Sequence, residues 1–242
     1  LTKWFPESVL THLAQSAFEF ISAGIKNQSL PESRYIILMT KFEELGFTPG
    51  ILKSIQELGF VEPMAVQEKV IPLMLGDDCD IIALAQTGTG KTAAFGLPLV
   101  QTTDTETNIT QALILCPTRE LCMQITGDLT DFARHTGELK ILAVYGGASI
   151  QNQVQVLKKG VHIIVATPGR LIDLIERKAV KLSGVNTVVL DEADEMLNMG
   201  FLDSINEILE EVPVGRRTLL FSATMSQEIA AIARNYMNDP TE

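Results

Sequence analysis

From residue 80 onward, short apolar runs rich in β-branched residues alternate with longer amphipathic segments. Several short runs are continuously apolar, which is typical of strands covered by helices on both faces. The predicted strands are Ile81–Leu84, Ala112–Cys116, Ile141–Tyr145, Ile163–Ala166, Thr187–Leu190 and Thr218–Phe221. Repeated strand–helix alternation predicts an α/β fold with a doubly wound, mostly parallel sheet and helices on both faces.

The first 40 residues have a different pattern and are predicted to form a separate N-terminal extension. Apolar positions between Val9 and Ile25 follow helical spacing, and the segment 27–31 ends this pattern. The chain begins at Leu1, and Met39 is a plausible natural start just before the α/β part at 41–242. The extension is therefore either an accessory or non-native addition, or an ordinary docking helix.

The net charge of −11 argues against a protein that coats nucleic acid non-specifically, although it leaves room for a local binding face. No apolar run is long enough to span a membrane, and we find no signal peptide. Cys79, Cys116 and Cys122 lack metal-ligand spacing. We expect buried thiols in a reducing compartment, and therefore a cytoplasmic protein without a membrane partner.

A glycine-rich segment, Ala85–Thr92, follows the first predicted strand and precedes a helix. This context is typical of a phosphate-binding loop, although Ala85 stands where the general motif has Gly, and the alternative is a plain glycine-rich turn. Backbone N–H groups and the helix N-terminus would bind phosphates, Lys91 would contact the β- and γ-phosphates, and Thr92 would bind Mg²⁺. The predicted nucleotide-binding residues here are Gln86, Thr87, Gly88, Thr89, Gly90, Lys91 and Thr92.

The predicted strand Thr187–Leu190 ends in the acidic residues Asp191 and Glu192. Because ligands bind at the carboxyl ends of parallel strands, Asp191 is expected to face the glycine-rich loop and to hold Mg²⁺ with Thr92. Glu192 is the candidate to orient or deprotonate an attacking water. The predicted catalytic residues are therefore Lys91, Asp191 and Glu192, and the alternative is an acidic surface turn.

With these motifs in order, and with Asp191-Glu192-Ala193-Asp194, the chain resembles the bacterial-type DEAD-box RNA helicases over residues 41–242. The resemblance implies the first RecA-like domain of an RNA-dependent ATPase that uses ATP and Mg²⁺ and separates short RNA duplexes. It further implies that Gln67 contacts the adenine edge and that Phe42 stacks on the adenine ring. Met64 departs from the Thr or Ser that the family has after Pro63.

Further segments resemble family motifs that contact the RNA sugar-phosphate backbone. Each follows a predicted strand, where side chains and helix N-termini can meet phosphates without reading bases. The resemblance implies contacts to the 2′-OH as well. Arg119 and Arg170 taken alone would be ordinary surface arginines at helix starts. The predicted RNA-binding residues are Pro117, Thr118, Arg119, Gly146, Gly147, Thr167, Pro168, Gly169 and Arg170.

Ser222 and Thr224 resemble a motif whose hydroxyls would hydrogen-bond Asp194 and couple the nucleotide state to RNA. Ser222 or Thr224 could instead cap the helix that begins near Ser226, and the two roles are compatible.

We find no second RecA-like sheet and no segment that would supply arginine fingers, which are worth about 10³–10⁵ in rate. We therefore expect this chain to bind nucleotide but to be nearly inactive without a second RecA-like domain. The alternatives are a DNA helicase or translocase of the same superfamily, an RNA clamp or scaffold with slow ATPase, and a small-molecule kinase. No acceptor pocket or lid supports the kinase.

Overall fold

The computed structural model describes residues 42–76 and 79–242. The helix predicted between Val9 and Ile25, and the expected start at Met39, lie outside the described residues. No helix within 42–76 or 79–242 is both long and apolar enough to cross a membrane.

A six-stranded parallel sheet forms the centre of the fold, and its strand order is β1-β6-β5-β2-β4-β3. The strands are β1 Ile81–Leu84, β2 Ala112–Leu115, β3 Ile141–Val144, β4 Ile163–Ala166, β5 Thr187–Leu190 and β6 Arg217–Ser222. Each lies within one residue of its predicted bounds, so the prediction of a doubly wound sheet is confirmed. The sheet is parallel throughout.

Helices cover both faces of this sheet, as predicted. They are α1 Pro49–Glu57, α2 Ala65–Gly76, α3 Lys91–Thr102, α4 Arg119–Phe132, α5 Ile150–Lys158, α6 Pro168–Glu176, α7 Ala193–Asn198, α8 Leu202–Glu211 and α9 Gln227–Tyr236. Short 3₁₀ segments occupy Glu43–Leu45 and Ala133–His135.

The core has two apolar layers, one on each face of the sheet, because alternate residues of a strand point to opposite faces. In β2, Ile114 packs in the layer built with α1 to α4, whereas Leu113 packs in the layer built with α6 to α9. All four residues of β2 and of β4 are buried. Phe95 of α3 contacts Phe221 of β6 with 5.3 Å between ring centroids, which anchors the helix after the glycine-rich loop.

The sheet order places the functional segments along one edge in two groups. Strands β1, β6 and β5 are neighbours, and the glycine-rich loop, Ser222 and Asp191 lie at their carboxyl ends. Strands β2, β4 and β3 are also neighbours, and they end at Pro117, Thr167 and Gly146. The expected nucleotide residues and the expected RNA residues thus occupy adjacent halves of the same edge.

Candidate nucleotide site and nucleic-acid interface

Two glycines give the loop after β1 its shape. Gly88 and Gly90 have φ of +79° and +82°, a left-handed conformation that costs most other residues about 1–2 kcal/mol. Gly90 is the N-cap of α3, so the backbone turns directly into the helix that starts at Lys91. Thr89 Oγ1 donates a hydrogen bond to Gln86 O across 2.8 Å and closes the loop. The positive end of α3 therefore faces the same space as the loop's N–H groups.

Lys91 meets Asp191 beneath this loop. Lys91 Nζ lies 3.8 Å from Asp191 Oδ1, and the side chains are only 6% and 2% exposed. Among residues 42–76 and 79–242, Lys91 Nζ has no hydrogen-bond partner. A buried ammonium without hydrogen bonds is costly, so this arrangement suits an anion that supplies acceptors at that point.

Burial raises the pKa of Asp191 to about 6, and the positive charge of Lys91 offsets part of this effect. The carboxylate accepts a hydrogen bond from Glu192 N at 3.0 Å. Glu192 itself has φ +52° and ψ +50°, an uncommon left-handed conformation for a residue with a side chain. Such strain is frequent where a side chain must be aimed at a reacting group.

Gln67 contacts the glycine-rich loop directly. Its Nε2 donates to Gly90 O across 3.1 Å, and its Oε1 accepts from Met64 N across 2.9 Å. Each amide atom retains one further hydrogen-bonding position, which is what an adenine edge would need. The residue is buried beside the loop, as a base-reading side chain should be.

Phe42 is placed differently from Gln67. Its ring is fully buried in the core and stacks on Phe60 with 6.3 Å between centroids. Phe60 in turn contacts Phe132 of α4 edge-on. In this arrangement Phe42 packs in the core beside Phe60, and its role as an adenine-stacking residue stays a prediction.

Asp194 links the acidic turn to the loop after β6. Asp194 Oδ2 accepts hydrogen bonds from Ala223 N and from Thr224 Oγ1, each at 3.1 Å. Ser222 Oγ donates to Thr224 O at 2.7 Å. Ser226, rather than Ser222 or Thr224, caps α9 through Ile229 N, so the alternative capping role was wrong.

The loop ends of β2, β3 and β4 form the other half of the edge. Thr118 caps α4 by accepting from Leu121 N, and Arg119 lies over the ring of Tyr145 at 5.2 Å. At the start of α6, Thr167 makes no side-chain capping bond, and Pro168 at the first helical position has no N–H, so the backbone N–H groups of Gly169 and Arg170 are not capped by the Thr167 side chain.

Arg170 is held within the protein. Arg170 Nη1 donates to Ala148 O at 3.0 Å and to Gln153 Oε1 at 2.9 Å, and Nε lies 3.6 Å from Asp173. Its side chain is only 12% exposed. Arg170 therefore fixes the loop after β3 to the start of α6, in addition to any contact it makes with phosphate.

The free cysteines divide by position. Cys116 and Cys122 are buried and both donate to carbonyl groups of β4, whereas Cys79 is partly exposed. The expectation of buried thiols therefore holds for Cys116 and Cys122 and holds only in part for Cys79, which is partly exposed but packs against the apolar core just before β1.

Comparison with known proteins identifies the family. The DEAD/DEAH box helicase family model matches residues 64–232. This chain belongs to the DEAD/DEAH box helicase family. An ATP-dependent RNA helicase CshA of Listeria monocytogenes is 52% identical over 202 residues, and a DEAD-box ATP-dependent RNA helicase CshA of Geobacillus kaustophilus is 50% identical over 202 residues. Both alignments cover 84% of this chain.

Solved structures agree with the RecA-like fold. A DEAD box protein of Methanococcus jannaschii matches with a TM-score of 0.79 at 44% identity, over 83% of this chain and 54% of that one. A hypothetical ATP-dependent RNA helicase of Sulfolobus tokodaii matches with a TM-score of 0.73 at 37% identity, over 81% and 56% of the respective chains. The chain spans only 38% and 43% of the length of the two curated relatives.

Two residues of this helicase-family domain were missed from the sequence. Tyr145 was assigned only to a strand, and Gln153 was not singled out, yet both join segments expected to contact RNA. A signal for Gln153 was present, because it follows Ile150 by three residues and precedes Leu157 by four, where the helical pattern expects an apolar residue.

Proposed function

We propose that residues 41–242 are the first RecA-like domain of an ATP-dependent RNA helicase, which binds ATP and Mg²⁺ and forms half of an RNA-binding surface. The single observation that carries this proposal is the buried Lys91–Asp191 pair, because its ammonium lacks a hydrogen-bond partner within the described residues and faces a loop of N–H donors. The ATP-dependent RNA helicase names of the relatives are consistent with it.

The residues present fit Mg²⁺ and a nucleotide triphosphate. Thr92 and Asp191 would hold the metal, which needs only a few oxygen ligands from the protein, and Lys91 would contact the phosphates. When bound, Mg²⁺ neutralises phosphate charge. Glu192 would orient the attacking water, and its left-handed backbone holds it next to Asp191.

Selection of adenine would come from Gln67. Its amide lies within hydrogen-bonding distance of Gly90, so the base-reading group and the phosphate loop move as one unit. Binding of the base would therefore also affect the position of Gly90 at the N-terminus of α3.

RNA would lie along the ends of β2, β4 and β3. The surface there has the N-terminus of α6, which the Thr167 side chain does not cap, and the hydroxyl of Thr167, and both suit phosphate and ribose rather than base edges. Arg119 and the Gly146–Gly147 loop flank it. Because no base-reading group is involved, we expect no sequence specificity, and contacts to the 2′-OH would favour RNA over DNA.

Coupling between the halves would run through Asp194, Ser222 and Thr224. In the full-length protein, a second RecA-like domain would close on ATP and RNA, bend one strand and so disrupt pairing locally. It would also supply arginine fingers, so the present chain alone should bind nucleotide and hydrolyse it slowly. The unpaired thiols suit a cytoplasmic protein.

The test is steady-state ATP hydrolysis by the full-length protein without polymer, with RNA and with single-stranded DNA, using Glu192→Gln as the control. Stimulation by RNA alone, lost in the control, supports the proposal. Equal stimulation by DNA would favour a general helicase or translocase. Absence of stimulation by either polymer would leave only nucleotide binding, which a titration with ADP checks separately.

A further inference from the structure

A buried amide joins two segments of the RNA half of the edge. Gln153 lies in α5 and is only 5% exposed. Its Oε1 accepts from Arg170 Nη1 at 2.9 Å, and its Nε2 donates to Tyr145 O at 3.3 Å. One side chain therefore contacts both the residue that precedes the Gly146–Gly147 loop and Arg170 in the first turn of α6.

The position of this amide is unfavourable unless both of its ends are paired. Val154 and Leu157 of the same helix pack against the apolar core, and Gln153 is buried on the same side of the helix. A buried amide whose hydrogen-bonding groups are left unsatisfied destabilises the folded protein. A leucine would suit this apolar position better, but it could not form the hydrogen bonds that orient Arg170 and the backbone at Tyr145.

Tyr145 extends the connection to the third segment. The guanidinium of Arg119 lies 5.2 Å from the centroid of the Tyr145 ring, within the range of a cation–π interaction. A Cβ at Gly147 would lie 3.5 Å from Arg119 Nη1, so the loop passes close to this arginine. Tyr145 therefore makes two contacts: its carbonyl oxygen accepts from Gln153, and its ring lies against Arg119.

Arg170 completes the arrangement. Its Nη1 donates both to Gln153 and to Ala148 O in the loop after β3. The loop is therefore held at Tyr145 by Gln153 and at Ala148 by Arg170. Displacement of Gln153 would release the loop at Tyr145. Ala148 O would then be the remaining partner of Arg170 in the loop after β3.

We infer that Gln153 is a positioning residue for RNA binding: its buried amide holds the Gly146–Gly147 loop, Arg170 and, through Tyr145, Arg119 in one arrangement that matches a sugar-phosphate backbone. This inference rests on the proposed RNA function. Gln153 touches no reacting atom, and the nucleotide residues lie in the other half of the edge. Its loss should therefore weaken RNA binding and leave nucleotide binding intact.

The test compares Gln153→Leu, Gln153→Glu and the control Gln155→Ala in the full-length protein. Gln155 lies on the exposed side of the same helix. We expect Gln153→Leu to raise the RNA concentration for half-maximal ATPase stimulation about tenfold, as loss of a hydrogen bond to a charged group does. The rate at saturating RNA and the Kd for ADP should not change. Gln153→Glu keeps the acceptor for Arg170 but has no N–H to donate to Tyr145 O. Its half-maximal RNA concentration should therefore lie between those of the wild type and Gln153→Leu.

A double variant separates positioning from general destabilisation. Gln153→Leu and Arg170→Ala should be strongly non-additive, because both break the same contact, whereas independent effects would add. Additive losses, or a matching loss of ADP affinity in Gln153→Leu, would overturn the inference.

Hydrogen exchange keeps the inference testable even if the wild-type protein does not respond to RNA. In Gln153→Leu, backbone amides of residues 146–149 should exchange faster, while those of 88–92 should exchange as in the wild type. Failure of the RNA response in the wild type would remove the proposed function. Unchanged exchange at 146–149 would instead remove the positioning role of Gln153.

Discussion

Thr224 Oγ1 donates a hydrogen bond to Asp194 Oδ2 across 3.1 Å and so joins the turn after β5 to the loop after β6. The same oxygen accepts from Ala223 N, which leaves Asp194 held by both backbone and side chain. Asp194 follows Asp191 by three residues and Glu192 by two, so its two hydrogen bonds join the acidic turn at the nucleotide site to the loop after β6.

The first prediction concerns this contact. In the full-length protein, Thr224→Val removes one hydrogen bond at nearly constant shape, so nucleotide binding should persist while the duplex separated per ATP hydrolysed falls about fivefold, equivalent to about 1 kcal/mol. Strand displacement and phosphate release are measured together. Thr224→Ser keeps the hydroxyl and should behave as the wild type. Equal loss in the Ser variant would show that the methyl group, and not the hydrogen bond, carries the effect.

The second prediction concerns base selection by Gln67. Gln67→Ala removes the contact with Gly90 O and the group expected to read adenine, so ADP binding should weaken about tenfold or more, with GDP affected less. Titration with fluorescent ADP and GDP gives both constants. Gln124→Ala, on the exposed side of α4, is the matched control. A parallel loss for both nucleotides would assign Gln67 to loop support alone.

The third prediction follows from the pKa of Asp191, which burial raises to about 6. A raised carboxyl pKa means that the folded protein holds the proton more tightly, and Mg²⁺ requires the ionised form. In the presence of ADP, the affinity for Mg²⁺ should therefore reach a plateau above pH 7. It should fall about tenfold between pH 7 and pH 5 as Asp191 becomes protonated. Asp191→Asn should bind Mg²⁺ weakly at every pH. A wild-type profile that is flat over this range would contradict a metal contact by this carboxylate.

The fourth prediction separates the two roles of Phe42. Since its ring is fully buried against Phe60, Phe42→Ala should lower the free energy of unfolding by about 3–5 kcal/mol, as measured by urea denaturation. Phe42→Leu should cost less and retain ADP affinity. If Phe42→Leu instead lost most ADP binding with little change in stability, stacking on adenine would be its main role.

The strands and the chemistry at their ends were predictable because each depends on local sequence. Apolar β-branched runs define strands that are buried on both faces, and carboxyl ends of parallel strands share one edge. That is why Lys91 and Asp191, a hundred residues apart, were expected together and lie 3.8 Å apart.

Contacts that depend on distant packing were not predictable. Phe42 is buried against Phe60, which Phe132 contacts in turn, and no pattern near Phe42 reports this packing. The partners of Gln153 come from the loop after β3 and from the first turn of α6. The strand order itself depends on how the helices pack, since the same alternation of strands and helices is compatible with several parallel orders.

The last prediction concerns the packing of the helix that precedes the Gln67 segment. A Cβ at Gly50 in α1 would lie 2.5 Å from the backbone oxygen of His135, whereas a Cβ at Gly76, at the end of α2, would meet no atom within 4 Å. Alanine normally stabilises a helix by up to about 1 kcal/mol relative to glycine. Gly76→Ala should therefore be neutral or stabilising, while Gly50→Ala should be destabilising by about 1–3 kcal/mol, because a backbone oxygen cannot move aside as a side chain can. Urea denaturation of both variants decides between these outcomes. Equal stability of the two would contradict a rigid contact between α1 and the segment Ala133–His135.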